Sequence, residues 1–343
     1  MISDKIKEHI KIKELNLYPS YKGKTLNIEI ASGCNEKCIY CKYYAMGLHK
    51  QGKLIDEDFF YRITKEAKEL GITDVGLYLT AEPLVNPKVY DYIRYLKKDL
   101  EFEYVYISTN GILCTPSNLE KMVDAGIDSI KFSVSSADRE NFKRHHGIDA
   151  FDKVLANIKY AYEYREKNQL KYKLYMFSIL TKYNLWEKKL IEQVYSEYVD
   201  ELLFSNVVAD VNVKGVEEYL TIADEEEMLI KEMSLSKLPC TLLFERIVIN
   251  QYGYLCACCF ETILGYTQVV DLKNISLKEG VYGEQMVKIR QMHLDKKIEG
   301  TICENCIYGR NEKVEPLNVE FKGKIEEIKV YDVSEEIRER FGI

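Results

Sequence analysis

Three of the ten cysteines lie within eight residues, in the run Cys34-Asn35-Glu36-Lys37-Cys38-Ile39-Tyr40-Cys41. Thiolates converging from one short loop can hold three corners of a cubane iron–sulfur cluster. The fourth iron then lacks a protein ligand and is open to a small molecule. The competing chemistry is a zinc knuckle completed by His49 or by a distant cysteine, since structural zinc favours four ligands in paired form. A second set begins at Cys240, which is followed by twelve residues, Gly253, four residues and Cys258. It ends with Cys303 and Cys306, two residues apart. Four such ligands suit either another four-iron cluster or a zinc ribbon. Cys114, Cys256 and Cys259 remain. Cys114 reads as a buried thiol, Cys256 as a rival ligand to Cys258, and Cys259 as a packed side chain.

The rest of the composition says where such chemistry would operate. With 46% apolar and 30% charged residues the chain is an ordinary globular one. At 343 residues it can bury about three quarters of its unfolded surface, so it needs no cross-links to fold. A net charge of −7 disfavours a dedicated nucleic-acid binder. Lys and Glu interrupt the N-terminal apolar runs, so no signal peptide is expected. No run of ~18 apolar residues suggests a membrane span. The expected location is cytoplasmic, where clustered cysteines read as metal ligands or redox groups.

The elements that must position these residues alternate. Strands are expected at Leu26–Ala31, Asp74–Thr80, Tyr104–Ser108, Ser129–Val134, Tyr172–Leu180 and Glu201–Ser205. Helices are expected at Asp56–Leu70, Pro87–Leu100, Pro116–Ala125, Phe151–Arg165 and Leu185–Tyr198. Such alternation predicts a parallel sheet wrapped by helices. The first cysteine run then follows the first strand, at the end where α/β barrels build active sites. Beyond about residue 210 the pattern changes. An acidic helical stretch spans Val213–Met233, and a hairpin joins Arg246–Asn250 to Tyr254–Cys258 and brings Cys258 back towards Cys240. One helix is expected over Gly280–Asp295, a strand at Ile328–Tyr331 and a helix at Ser334–Arg340.

The C-x3-C-x2-C run after the first strand, with Tyr40 before its last cysteine, resembles the signature of radical S-adenosylmethionine (SAM) enzymes. Later strand ends are similar in order. Thr80-Ala81-Glu82-Pro83 stands where that family has Gly-Gly-Glu-Pro holding the SAM amino group. It departs at both glycines and keeps Glu82. Ser108-Thr109-Asn110-Gly111 resembles the Thr-Asn-Gly segment. Ser133-Val134-Ser135-Ser136 stands in place of Ser-x-Asp, with Ser133 favoured over Ser135. Arg144 is the candidate for the SAM carboxylate, with His146 beside it. The late cysteines resemble the first half of a SPASM pattern, shortened to a Twitch-type domain, and match the spacing of 2-deoxy-scyllo-inosamine dehydrogenases.

The resemblance implies an α/β fold, a partial (β/α)6 TIM-like barrel with a small C-terminal α+β Twitch-type domain. The expected division is an N-terminal extension at 1–24, a radical SAM core at 25–214 and an auxiliary domain with tail at 215–343. It implies one 4Fe-4S cluster on Cys34, Cys38 and Cys41, a second on Cys240, Cys258, Cys303 and Cys306, and SAM contacted by Tyr40, Thr80, Ala81, Glu82, Asn110, Ser133 and Arg144. Reductive cleavage of SAM would be followed by hydrogen abstraction from a substrate carbon. If the auxiliary cluster takes an electron, a sugar, amino sugar or aminocyclitol is dehydrogenated. Epimerisation of a sugar or peptide, maturation of a ribosomal peptide and a non-catalytic zinc module are the alternatives. Only about 25 residues precede the first strand, which favours a small polar substrate over a peptide. The expected partners are that substrate and an electron donor such as flavodoxin or ferredoxin, with neither nucleic acid nor membrane.

Overall fold

The computed structural model describes residues 14–45, 47–50, 52–206, 239–259, 268–299, 301, 303 and 315–318. Its strands are β1 (Glu14–Asn16), β2 (Thr25–Ile28), β3 (Asp74–Gly76), β4 (Tyr104–Thr109), β5 (Ser129–Ser133), β6 (Lys173–Leu180), β7 (Glu201–Asn206), β8 (Arg246–Ile249), β9 (Tyr254–Cys256), β10 (Gln268–Asp271) and β11 (Glu315–Asn318). Its α-helices are α1 (Lys42–Ala45), α2 (Glu57–Glu69), α3 (Val89–Arg94), α4 (Pro116–Ala125), α5 (Arg139–His146), α6 (Phe151–Lys167), α7 (Lys188–Tyr195), α8 (Leu242–Glu245), α9 (Leu277–Tyr282) and α10 (Glu284–Leu294). The fold is α/β, and among the described residues its mainly parallel strands do not close into a full barrel. The chain forms two compact units. Glu29–Ile55 and Asp74–Ala223 make the body of one, and Asp4–Ile28, Asp56–Thr73 and Asp224–Ile343 make the other.

In the first unit β3, β4, β5, β6 and β7 lie side by side in chain order, all parallel. Each link is a helical crossover, as parallel pairing requires. Side chains alternate across the strands. Val105, Ile107, Leu174, Met176 and Leu180 are buried, together with Ile93, Leu119, Met122 and Ile158 from the crossover helices. Each such side chain contributes roughly 2–3 kcal/mol by leaving water. The opposite face is half-exposed and carries Tyr106, Ser108, Lys131, Ser133, Tyr175 and Phe177. There Lys131 Nζ lies 4.7 Å from the Tyr78 ring centroid and 5.4 Å from that of Phe177.

Local chemistry explains the helix limits. Pro116 opens α4 and Gly126, at φ +101°, closes it. The Asp138 side chain accepts from Asn141 N at 3.0 Å to start α5, and Gly147 at φ +65° ends it. The helix expected over Pro87–Leu100 divides into α3 and a wider π turn at Tyr95–Asp99, which Leu100 N closes on Tyr95 O at 3.0 Å.

In the second unit the order is β10-β9-β8-β2, with β2 and β8 parallel and the other pairs antiparallel. The expected hairpin is present as β8–β9. Asn250 Oδ1 accepts from Tyr252 N and Tyr254 N, both at 3.1 Å, and Gly253 turns at φ +86°. Arg62 of α2 donates to Leu272 O at 2.6 Å and Ile275 O at 3.1 Å. The buried Arg290 of α10 donates to Leu17 O, Val281 O and Tyr21 Oη. The single helix expected over Gly280–Asp295 is two, α9 and α10. Gly283 between them is extended, and a Cβ there would come 2.7 Å from Glu279 O. The elements expected at Val213–Met233, Ile328–Tyr331 and Ser334–Arg340 lie outside the described residues, as does Cys306. Among the described residues no helix is long and apolar enough to cross a membrane.

Candidate functional site

The Cys34–Cys41 loop is tied by its backbone on three sides. Cys34 N donates to His49 O at 2.9 Å, and Gly33 O accepts from Glu82 N at 3.0 Å. Lys37 N and Ile39 N donate to His146 O and His145 O, at 3.0 and 2.9 Å, at the C-terminus of α5. These contacts leave Cys34, Cys38 and Cys41 half-buried. Burial pushes the Cys34 thiol up to about 12, helped by the Glu82, Glu36 and Cys41 charges, while the N–H of Glu36 opposes the shift. Burial raises Cys38 further, and the charges of Glu36, Cys41 and Cys34 add to it. The three thiols thus lie within electrostatic reach of one another, and burial keeps the protons on Cys34 and Cys38 until a cation replaces them.

Three soft sulfur donors fit an iron–sulfur cluster. They fit zinc poorly. Ligands 2.3 Å from a tetrahedral zinc stand about 3.8 Å apart. Among the described residues, the trio of ligand atoms gathered within 4.8 Å is instead Glu36, Cys38 and His146. His49 joins no such group; its ring stands edge-on to Tyr44 at 4.7 Å.

The strand ends supply the next layer. Glu82 is buried and accepts three hydrogen bonds, from Leu84 N at 3.0 Å, Thr109 Oγ1 at 2.8 Å and Asn110 N at 2.8 Å. Burial pushes its carboxyl up to about 7, and these three donors only partly offset that. Asn110 Nδ2 reaches Asn35 Oδ1 at 2.7 Å and Cys34 Sγ at 3.7 Å. Tyr40 Oη meets Ser135 Oγ at 3.0 Å. Thr80 and Ala81 are half-buried beside them. The structure therefore brings Glu82, Asn110, Thr80, Ala81 and Tyr40 around the cysteine loop. Ser133 lies on the half-exposed sheet face. Arg144 is exposed on α5, its guanidinium 4.0 Å from the Tyr183 ring centroid.

Sequence reasoning missed Glu29. Its buried carboxylate accepts from Thr80 N at 2.9 Å, Thr80 Oγ1 at 2.5 Å and Ala81 N at 3.0 Å, fixing the segment that precedes Glu82. A carboxylate inside an apolar strand was the available signal. Glu36 was likewise passed over, as was the contact between Ser135 and Tyr40.

In the second unit Cys240 is half-buried and its N–H donates to His293 Nδ1 at 3.2 Å. Cys256 is buried within β9, opposite Val248 and Gln268. Cys258 and Cys259 follow the strand's end, half-buried, so strand alternation does not relate Cys256 to Cys258. Cys303 is half-buried, its N–H donating to Thr301 Oγ1 at 3.2 Å. Cys114 is buried in the first unit, and burial raises its thiol.

Residues 28–194 match the family described as the Radical SAM superfamily. Over 135 residues the chain is 32% identical to the GTP 3′,8-cyclase of Clostridium perfringens, which is 39% of this chain and 41% of that protein. The chain thus spans about two fifths of the length of the cyclases it matches. Among solved structures, native anSMEcpe with bound AdoMet and a peptide aligns with a TM-score of 0.59 at 16% identity, over 86% of this chain and 92% of that one. BtrN in complex with AdoMet and 2-DOIA aligns with a TM-score of 0.51 at 14% identity, over 82% and 92%. With the cysteine loop and its strand-end neighbours gathered in one unit, residues 28–194 are identified as a Radical SAM domain.

Proposed function

We propose that this enzyme cleaves SAM reductively and removes hydrogen from a sugar, amino sugar or aminocyclitol-type substrate, leaving it oxidised. The observation that carries the reading is the layer around the cysteine loop, with Glu82 buried beside Asn110 and Asn110 reaching Cys34 Sγ. Cys34, Cys38 and Cys41 would hold a 4Fe-4S cluster. When bound, that cluster with SAM supplies one-electron cleavage and a radical that abstracts hydrogen. Glu82 would accept from the SAM amino group. Glu29 would hold Thr80 and Ala81 in place to receive the same end of the molecule. Tyr40 beside the loop, and Ser133 and Arg144 from the sheet face and α5, would supply the remaining contacts. Lys131 and the tyrosines of the half-exposed sheet face would line the substrate side and exclude water.

Cys240, Cys258, Cys303 and Cys306 would hold a second cluster that accepts the electron left on the substrate. The domain pair proposed is a core at 25–214 and an auxiliary part at 215–343. BtrN, of similar fold, was solved with 2-DOIA, which supports the small-molecule substrate. The peptide bound to anSMEcpe supports a second reading, oxidation or epimerisation of a residue in a peptide. An external one-electron donor such as flavodoxin or ferredoxin would start each cycle.

The test is the hydrogen count of the product. With substrate deuterated at the abstracted carbon, one deuterium is expected in 5′-deoxyadenosine and two fewer hydrogen atoms in the product. A product of unchanged count, carrying solvent hydrogen at that carbon, establishes an epimerase instead.

A further inference from the structure

One buried hydrogen-bonded chain beside the cysteine loop has no part in the chemistry described so far. Ser135 N donates to His146 Nε2 at 3.1 Å. That nitrogen therefore carries no proton, and the neutral ring holds its proton on Nδ1. Nδ1 stands 2.9 Å from Glu36 Oε2 and 3.6 Å from Cys38 Sγ. Cys38 Sγ is itself 3.2 Å from the same Glu36 oxygen. The ring cannot turn freely, because Phe142 stacks on it at 4.2 Å and 19°. Glu36 and His146 are 3% and 1% exposed, so solvent screens neither. Glu36 Oε1 is buried without a hydrogen-bond partner, which leaves the carboxylate anchored through Oε2.

We propose that His146 and Glu36 form a positioning pair that orients the Cys38 sulfur and sets how readily the centre on this loop accepts an electron. The redox part rests on the reading that Cys34, Cys38 and Cys41 hold the cluster. As a ligand, Cys38 has lost its proton. The ligand sulfur and the Glu36 oxygen then stand side by side, with Nδ1–H within hydrogen-bond distance of both. Donors near cluster sulfurs favour the reduced state, and a nearby carboxylate opposes it. The two members of the pair therefore act with opposite sign. The tight backbone joint keeps them there: a Cβ on Gly147, next to His146, would come 2.6 Å from Lys37 O.

The experiment has two arms on the full chain. In the cluster-free protein, long-range proton–nitrogen NMR of the histidines is read, with His146→Phe assigning the His146 signals. The Nδ1–H pattern is expected, and an Nε2–H or doubly protonated ring overturns the proposal. In the reconstituted protein without SAM, the midpoint potential is followed by EPR. His146→Phe is expected to lower it, Glu36→Gln to raise it, and His146→Gln, which keeps an N–H donor, to return towards the wild-type value. Should His146→Phe fail to take up iron, the Glu36→Gln and His146→Gln proteins still read the sign. Unchanged potentials, or shifts of one sign in both single variants, overturn the proposal while the function stands. A wild-type loop that holds no iron defeats the function as well, and the NMR arm still shows whether the pair is built as described.

Discussion

Glu82 illustrates how burial and chemistry work against each other at one residue. Its carboxyl is pushed up to about 7 by burial, against an ordinary value near 4.5 in the unfolded chain. The folded state therefore holds the proton over a range where the unfolded state has released it. Stability contributed by Glu82 is fully present below pH 4.5 and is lost as pH rises towards 7. Across that window the wild type should lose on the order of 3 kcal/mol relative to Glu82→Gln. Urea denaturation of both cluster-free proteins at pH 4.5 and 7.5 reads the difference, and a constant gap removes Glu82 as its source. The cysteines, Glu82 and Asn110 were legible in the sequence because their spacing or strand-end position is local. Glu29 pairs with Thr80, 51 positions away, and Glu36 with His146, 110 positions away, and no local pattern reports such pairings.

Among the elements, α5 and the cysteine loop form the joint on which the site depends. The helix delivers His145 O and His146 O to the loop and ends at Gly147 in the left-handed region. A methyl group at Gly147 would meet Lys37 O at 2.6 Å and Lys37 Cβ at 2.8 Å. Gly147→Ala should cost about 2 kcal/mol through the positive φ and the forced separation. Chemical denaturation of the cluster-free protein measures it, and a loss below about 0.5 kcal/mol would show that the joint yields without strain. Helices with an ordinary apolar face were legible, and α4 spans Pro116–Ala125 as expected. α5 was not, because its buried side includes His145 and His146 with Phe142. Periodicity methods count such histidines as polar. The break between α9 and α10 was missed for a different reason: Gly283 is demanded by a close approach to Glu279 O, which composition does not display.

For the whole molecule, chain order and spatial grouping diverge. A sequence boundary near 215 separates two patterns, whereas β2 and α2 pack with the late elements. Thr25 pairs with Arg246, and Arg62 bonds Leu272 O. Such long-range pairings are invisible to any reading of successive segments. The same late region holds the proposed second cluster, and metal content decides its ligands. Two cubane clusters imply about eight irons per chain after anaerobic reconstitution. Replacing Cys34, Cys38 and Cys41 by Ala should leave about four irons and abolish SAM cleavage. Replacing Cys240, Cys303 and Cys306 should leave the other four and abolish product, with slow uncoupled SAM cleavage persisting. Between the two rivals, Cys256 is 2% exposed inside β9, whereas Cys258 is half-buried beyond the strand's end, where a side chain can turn towards a metal. Cys258→Ala should therefore lose the second cluster, and Cys256→Ala should lose only packing. If Cys256→Ala loses the iron and Cys258→Ala keeps it, the ligand assignment is reversed. If the intact protein instead binds stoichiometric zinc and stays colourless, neither cysteine set holds iron and the radical chemistry has no electron source.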